Sequence, residues 1–565
     1  MSDILIRGGT IIDGTGGPSR QADLRIRDGL VAEIAPGLKP GGAKVIDASD
    51  ALVTPGFIDC HTHLDAAMFW DPACDQMTQH GVTTVLVGNC SLGLAPIRHA
   101  DRARVIDVFS YIEDIPSEAM STALPWNWET FPEYAEEMRK RPLGVNVATL
   151  IPHSLLRMYV MGDAAWERAA TADEIEAIAL EYRKAAKAGG VGLSYSLFDK
   201  DRQGRPVPSY HADDRELDRM FREIGAHRGV FQVVCSMGDG IVTDLTRLAP
   251  FAAKHGVTIL HNAIAYVSYQ PEFSANLLEV LRGFQQNGAK VYSMMSPRSF
   301  DFELNFHSTI IFIDYPVWNE IIQAEPARKR ELLKDPTWRA RARHEFAEAA
   351  QRSAVSMFQF GQIHNVRING IGPNQDPSWL DRSMKDLFDA KGGDPADVLA
   401  DWVLESDLEA RFIIPVSNTD PVGMSGVLRR PEVIVGGSDA GAHVQMFCAS
   451  GDTTLFLKEY VRDRSVFSVE DGIYQLTGRL ADMLNLRDRG RLQVGKPADI
   501  AVFALNELHW DKAFSVKDLP GGRARYTRPP GGFRLTMING QIVQEAGKST
   551  TALPAKFLSG MGAAA

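Results

Sequence analysis

The 565-residue chain is 45% hydrophobic and 23% charged, with 49 glycines and 30 prolines, ordinary globular usage in a chain long enough for a large catalytic domain and a smaller companion. A formal net charge of -11 argues against a nucleic-acid partner, whose binding depends on clustered Lys and Arg. The opening MSDILIRGGTIIDGTG lacks the apolar core of a signal peptide and no later stretch approaches the ~18 apolar residues of a membrane span, so a cytoplasmic protein without a membrane partner is expected.

Short alternating segments separated by Gly8-Gly9 and Asp13-Gly14 predict a small antiparallel sheet in residues 1–54. The same pattern returns at Asp499–Phe503 and Phe533–Gly540. Because a small sheet needs a second layer, the two ends are expected to pair as one discontinuous β-domain of residues 1–54 and 485–545. Between them, in residues 55–484, eight candidate strands alternate with helical patterns: Gly56–His61, Thr83–Val87, Gly144–Ile151, Gly190–Ser196, Val230–Cys235, Val257–His261, Ala289–Met295 and Glu432–Asp439. Such a count predicts an α/β fold, a (β/α)8 TIM barrel. Residues 296–431 form a long excursion with charged helices predicted at Ala327–Leu333 and Arg341–Ala350, expected over the catalytic end, where loops grow without disturbing the core. The tail, 546–565, is rich in small residues and expected to be flexible, with Phe557-Leu558 as its one anchor. Cys60, Cys74, Cys90, Cys235 and Cys448 are an odd, sparse set that predicts free thiols.

His61 and His63 are two apart after the apolar run Leu52–Cys60, so an extended chain projects both imidazoles to one side. Cys90 follows Val85–Asn89, His261 ends Val257–Leu260, and Asp439 ends Val433–Ser438. Five polar groups at four strand ends predict a divalent-metal site of His61, His63, Cys90 and His261 that activates water, with Asp439 moving the proton. A buried carboxylate at such a position needs a metal or another partner. His153 and His443 are candidates for binding a substrate oxygen. Arg298 is the candidate partner of a substrate carboxylate, and Phe300, Phe302, Phe306 and Met446 suit an apolar pocket.

The chain resembles the amidohydrolase superfamily, and within it the N-acyl-D-amino-acid deacylase (D-aminoacylase) branch. The resemblance spans nearly all of residues 1–545 and rests on LIRGGTIIDGTG (Leu5–Gly16), TPGFIDCHTHLD (Thr54–Asp65), GVTTVLVGNC (Gly81–Cys90), PHSLLRMYVMG (Pro152–Gly162), GLSYSL (Gly192–Leu197), GSDAGAH (Gly437–His443) and GRLQVGKPADIAVF (Gly490–Phe503). It implies a β-sandwich made by both termini, a barrel carrying Zn2+, and hydrolysis of a small-molecule N-acyl amide. Its metal pattern maps onto His61, His63, Cys90 as a cysteine able to bridge two ions, His261, and Asp439 as ligand and general acid/base. Cysteine takes the role that a lysine carbamate has in other binuclear relatives. Where deacylases end strand five with a histidine, this chain reads Val230–Met237 with Val234 at the ligand position. Alternation turns Cys235 to the opposite face unless the strand shifts by one residue, so of one or two zinc ions one is favoured.

The leading expectation is therefore a zinc-dependent deacylase of N-acyl-D-amino acids. A cyclic amidase of hydantoinase or dihydroorotase type is the alternative within enzymes, and a catalytically silent barrel scaffold the alternative outside them. No sequence feature singles out an oligomer interface; homo-oligomers of such barrels form through outer helices or long loops.

Overall fold

The computed structural model describes residues 3–307, 309, 311–312, 315–349 and 363–560. It divides into two compact units, one of Met1–Ala265, Gln270–Arg298 and Val422–Ala565, the other of Tyr266–Tyr269 and Ser299–Pro421.

The first unit opens with β1 (Ile4–Ile11), β2 (Arg20–Arg27), β3 (Leu30–Ala35), β4 (Lys44–Asp47) and β5 (Leu52–Pro55). The barrel then begins with β6 (Phe57–Asp59), β7 (Val82–Val87) and a third strand broken at Leu150 into β8 (Asn146–Thr149) and β9 (Ile151–Pro152). It continues through β10 (Gly192–Ser196), β11 (Val230–Val234), β12 (Thr258–Asn262) and β13 (Lys290–Met295). Next come β14 (Phe300–Asn305), β15 (Arg367–Gly370) and β16 (Arg411–Ser417), an antiparallel sheet of the second unit. The eighth barrel strand, β17 (Val433–Val435), follows, and the chain ends with β18 (Ile500–Phe503), the hairpin β19 (Phe514–Leu519) and β20 (Arg523–Thr527), β21 (Leu535–Ile538), β22 (Gln541–Glu545) and β23 (Lys548–Ser549).

All barrel pairings are parallel, β6 to β7 to β8 and β9 through β13 to β17. Parallel strands covered by helices are buried on both faces, which is why β7, VTTVLV, is apolar or threonine throughout and wholly buried. Capping sets the outer helices. Thr171 and Glu174 form a capping box on Ala172–Lys187, and the Asp213 carboxylate accepts from the first turn of Asp214–Ala226. The ring closes between the first and last strands: Thr62 bridges Ala440, the His63 N–H donates to Ala440 O at 2.7 Å, and the Asp439 N–H donates to His61 O at 3.0 Å. Closure and the predicted metal residues thus share a few ångströms of backbone.

Ile58, Leu86, Ala148, Val191, Val230, Leu260, Met294 and Ile434, one residue from or beside each barrel strand, form a single interior cluster with Leu480, Leu484 and Leu558. The two chain ends join through the antiparallel pair β5–β18 in a nine-stranded sheet ordered β23-β22-β21-β18-β5-β1-β2-β3, with β4 beside β1. Its core holds Ile6, Leu24, Val53, Ile500, Val502 and Met537.

The tail corrects its expectation. Lys548–Ser549 is a strand, Leu558 and Phe557 are buried, and backbone bonds tie Lys556 and Leu558 to Val147 and Gly560 to Gly189. Only 561–565 lie outside the described residues. In the second unit the charged helices are Pro326–Lys334 and Pro336–Ala349; Ala350 lies outside the described residues. Phe306 packs against Phe312 and Trp318 there, an aromatic core rather than the expected pocket wall. All five cysteines are free and buried. No helix among the described residues is long and apolar enough to cross a membrane.

Candidate metal centre

His61 and His63 leave β6 just where the barrel closes, and Cys90 leaves β7. The ligand-competent atoms of these three buried residues lie within 4.8 Å of one another. Cys90 Sγ is 3.2 Å from His61 Nε2 and 3.6 Å from His63 Nε2. Asp439 Oδ1 faces the same point, 3.5 Å from His61 Nε2 and 3.4 Å from His63 Nε2. A tetrahedral ion at ~2.0–2.1 Å from nitrogen and ~2.3 Å from sulfur sets its donors about 3.3–3.6 Å apart. The two imidazole nitrogens and the thiol sulfur fit such an ion, with the Asp439 carboxylate beside the two histidines.

The backbone is bent to make this convergence. Cys90, Ser91, Asp439 and His443 all have positive φ, at 55°, 61°, 67° and 47°, costly for non-glycine residues and concentrated at functional sites. Gly441 permits the close passage of the Asp439–His443 loop: a Cβ there would lie 2.7 Å from the His63 carbonyl. Beneath Cys90, the Gln232 side-chain oxygen accepts from its N–H at 2.8 Å.

Burial drives the His61 imidazole down to about 3, so the ring is neutral with a lone pair to give. Burial acts against a charged His63 as well, yet Glu113, Cys90 and Asp439 around it hold it well above its ordinary value. Burial pushes Asp439 up, but the hydrogen bond from His63 and the charges of the site's histidines keep it below the usual carboxylate range. The Cys90 thiol is raised by burial, with His63 opposing.

Two of the predicted residues have partners outside the three-residue cluster. On β12, His261 and Asn262 are the last two residues, in register with Val233 and Val234 of β11. His261 Nδ1 pairs with Ser293 Oγ at 2.8 Å. The residue that reaches the cluster from strand six is Asn262, whose Nδ2 is 3.4 Å from His61 Nε2. The expectation for His153 fails because the broken third strand ends at Pro152 and His153 opens the helix His153–Met161. Its Nε2 lies 3.0 Å from Glu216 Oε1, Glu216 also holds Arg157, and all three side chains are fully buried. On β11, Val234 is in register with Asn262. Cys235 has the opposite phase and lies in the field of Asp244 of the helix Gly240–His255, where burial raises its thiol.

Arg298 and His443 stay at the barrel mouth. Arg298 Nε is 3.1 Å from Asp452, its Nη2 donates to Ser438 O at 3.0 Å, and its guanidinium covers the Phe447 ring at 4.7 Å. His443 is driven down to about 4 by burial despite Asp439. Met446, three residues after His443, is buried.

Two acids escaped sequence reading. Glu113, 3% exposed, places Oε1 3.5 Å from His63 Nδ1 and Oε2 3.9 Å from His443 Nε2, while its carbonyl accepts from the His443 N–H. Burial pushes its carboxyl up to about 8. Asp199 accepts from Ser196 Oγ at 2.6 Å and burial raises it to about 6 within the field of His63. The one local mark of Glu113 is an acid pair, Glu113-Asp114, closing the helix Arg102–Ile112.

The Amidohydrolase family model matches residues 44–298 and 406–544. An uncharacterized protein of Mycobacterium tuberculosis is 31% identical, covering 97% of this chain and 92% of that protein. The N-acyl-D-aspartate deacylase of Alcaligenes xylosoxydans xylosoxydans is 36% identical over 89% of this chain and 86% of its own length. Among solved structures, the N-acyl-D-glutamate deacylase of Bordetella bronchiseptica, complexed with zinc and a phosphonate inhibitor, superposes with a TM-score of 0.67 at 22% identity, covering 99% of each chain. With a barrel closed at a His, His, Cys cluster, the chain belongs to the amidohydrolase superfamily, in its N-acyl-D-amino-acid deacylase branch, and is a metal-dependent hydrolase.

Proposed function

We propose that the chain is a zinc-dependent deacylase of N-acyl-D-amino acids that works with a single ion. The observation that carries this reading is the cluster of His61, His63 and Cys90 with Asp439 beside the two histidines, while strand five ends in Val234 where a second histidine would stand. Softness favours zinc for a site of thiolate and imidazole.

Bound there, zinc would lower the pKa of a water molecule and polarise the amide carbonyl. Asp439, kept ionised, takes the proton this water gives up and passes it to the leaving nitrogen. His443, neutral at pH 7, offers a ring N–H to a substrate oxygen. Arg298, steadied by Asp452 and Ser438, recognises the substrate carboxylate. Names of relatives that act on N-acyl-D-aspartate and N-acyl-D-glutamate support this substrate class.

A panel of N-acetyl-D- and L-amino acids and cyclic imides, assayed for released amine or ring-opened carboxylate, tests the reading. Zinc-dependent release of D-amino acids is expected, with Arg298→Ala raising KM for anionic substrates at least tenfold. Turnover confined to cyclic imides would replace the deacylase reading with a cyclic amidase.

A further inference from the structure

The strand-six carboxamide has no place in the mechanism above, although it touches the cluster. Asn262 ends β12, in register with Val234 of β11 and Met294 of β13. Neither neighbour offers an oxygen acceptor from its side chain. The Asn262 Nδ2 finds instead the Nε2 of His61, at 3.4 Å.

That contact is incompatible with a working site. The Nε2 lone pair of His61 that accepts from Asn262 is the same lone pair that points at Cys90, His63 and Asp439, and it can serve one partner only. When His61 acts as a ligand, the Asn262 N–H loses its acceptor and must find another nearby, because a half-buried donor left unsatisfied costs about 1–3 kcal/mol. The amide to be cleaved has to bring its carbonyl oxygen beside the same ligands, which places a strong acceptor within reach of Nδ2.

We propose that Asn262 is a catalytic residue, donating its Nδ2–H to the carbonyl oxygen of the scissile amide and more strongly to the oxyanion that forms from it. This rests on the deacylase reading above. In the step, the water oxygen bonds to the carbonyl carbon and the C=O π pair moves onto oxygen. The proton lost by water goes to Asp439 and then to the nitrogen as the C–N bond breaks, while Asn262 keeps its protons throughout. His443 would donate from the strand-eight side and Asn262 from strand six, a paired arrangement of the kind that stabilises oxyanions.

The test uses purified zinc-loaded wild type, Asn262→Ala and the similarly shaped Asn262→Leu, with the best N-acyl-D-amino acid of the panel. Loss of one oxyanion donor predicts a fall in kcat of about 10²–10³-fold, with KM moving less than threefold. The inhibition constant of a phosphonate analogue of that substrate should rise in parallel, and zinc affinity by chelator competition should stay within twofold. Retention of kcat within threefold in Asn262→Leu would overturn the assignment. A tenfold or greater loss of zinc affinity would overturn it too, because the carboxamide would then serve the ion. Active wild type with unimpaired variants sinks only the role of Asn262, whereas zinc-loaded wild type that cleaves none of the panel overturns the deacylase reading and this assignment together.

Discussion

Replacing Glu113 by glutamine keeps the side chain's size and removes the acid beside His63. Glu113 Oε1 lies 3.5 Å from His63 Nδ1 with both side chains buried, and burial pushes its carboxyl up to about 8. An imidazole acting as a ligand through Nε2 turns its Nδ1–H toward that acid, which orients the ring. Outer carboxylates that orient a ligand histidine typically change metal affinity 10–100-fold, about 1.4–2.7 kcal/mol. We therefore expect Glu113→Gln to weaken zinc binding by that factor in chelator competition. Its kcat should fall as well, because His443 loses the same carboxylate, and Tm should move by only a few degrees. A zinc dissociation constant within twofold of wild type would refute the idea that Glu113 holds His63 for the ion.

Arg157→Met should destabilise the fold by about 3–5 kcal/mol in denaturant unfolding, because it strands the buried Glu216 carboxylate; the double variant Arg157→Met, Glu216→Leu should recover much of that loss, and equal stability of the two would count against the buried network. His80 is buried, bonds Thr454 through Nδ1, and is driven by burial to about 3. Its unfolded-state value is near ~6.5, so the unfolded chain takes up a proton that the native chain refuses. Its contribution to stability is intact above about pH 6.5 and is lost as pH falls toward 3, by up to ~1.4 kcal/mol per unit. His80→Asn should flatten the acid limb of the stability profile by that slope, and an unchanged limb would show that His80 titrates normally.

Much of this site is legible in sequence because His61, His63, Cys90 and Asp439 each stand where an apolar run stops, and a barrel strand delivers its last residues to the catalytic face. Asn262 escaped, because it follows His261 at the end of β12 and only its contact with His61 marks it. His153 misled because the third strand breaks at Leu150, which local alternation does not announce. Its true partner, Glu216, is brought to it from another helix by folding. Glu113 carries no motif at all, since a carboxylate that orients a ligand is defined by what it faces. The expected looseness of the tail failed for a similar reason: its composition is that of a linker, yet its backbone bonds to Val147 and Gly189.

Anomalous diffraction at the zinc edge, paired with elemental analysis of the same purified protein, tests the single-ion centre most directly. The account predicts one ion per chain, within bonding distance of His61 Nε2, His63 Nε2, Cys90 Sγ and Asp439, with Cys235 turned away. A second stoichiometric ion reached by His261 or Cys235, or a protein that hydrolyses N-acyl-D-amino acids without any ion, would contradict it.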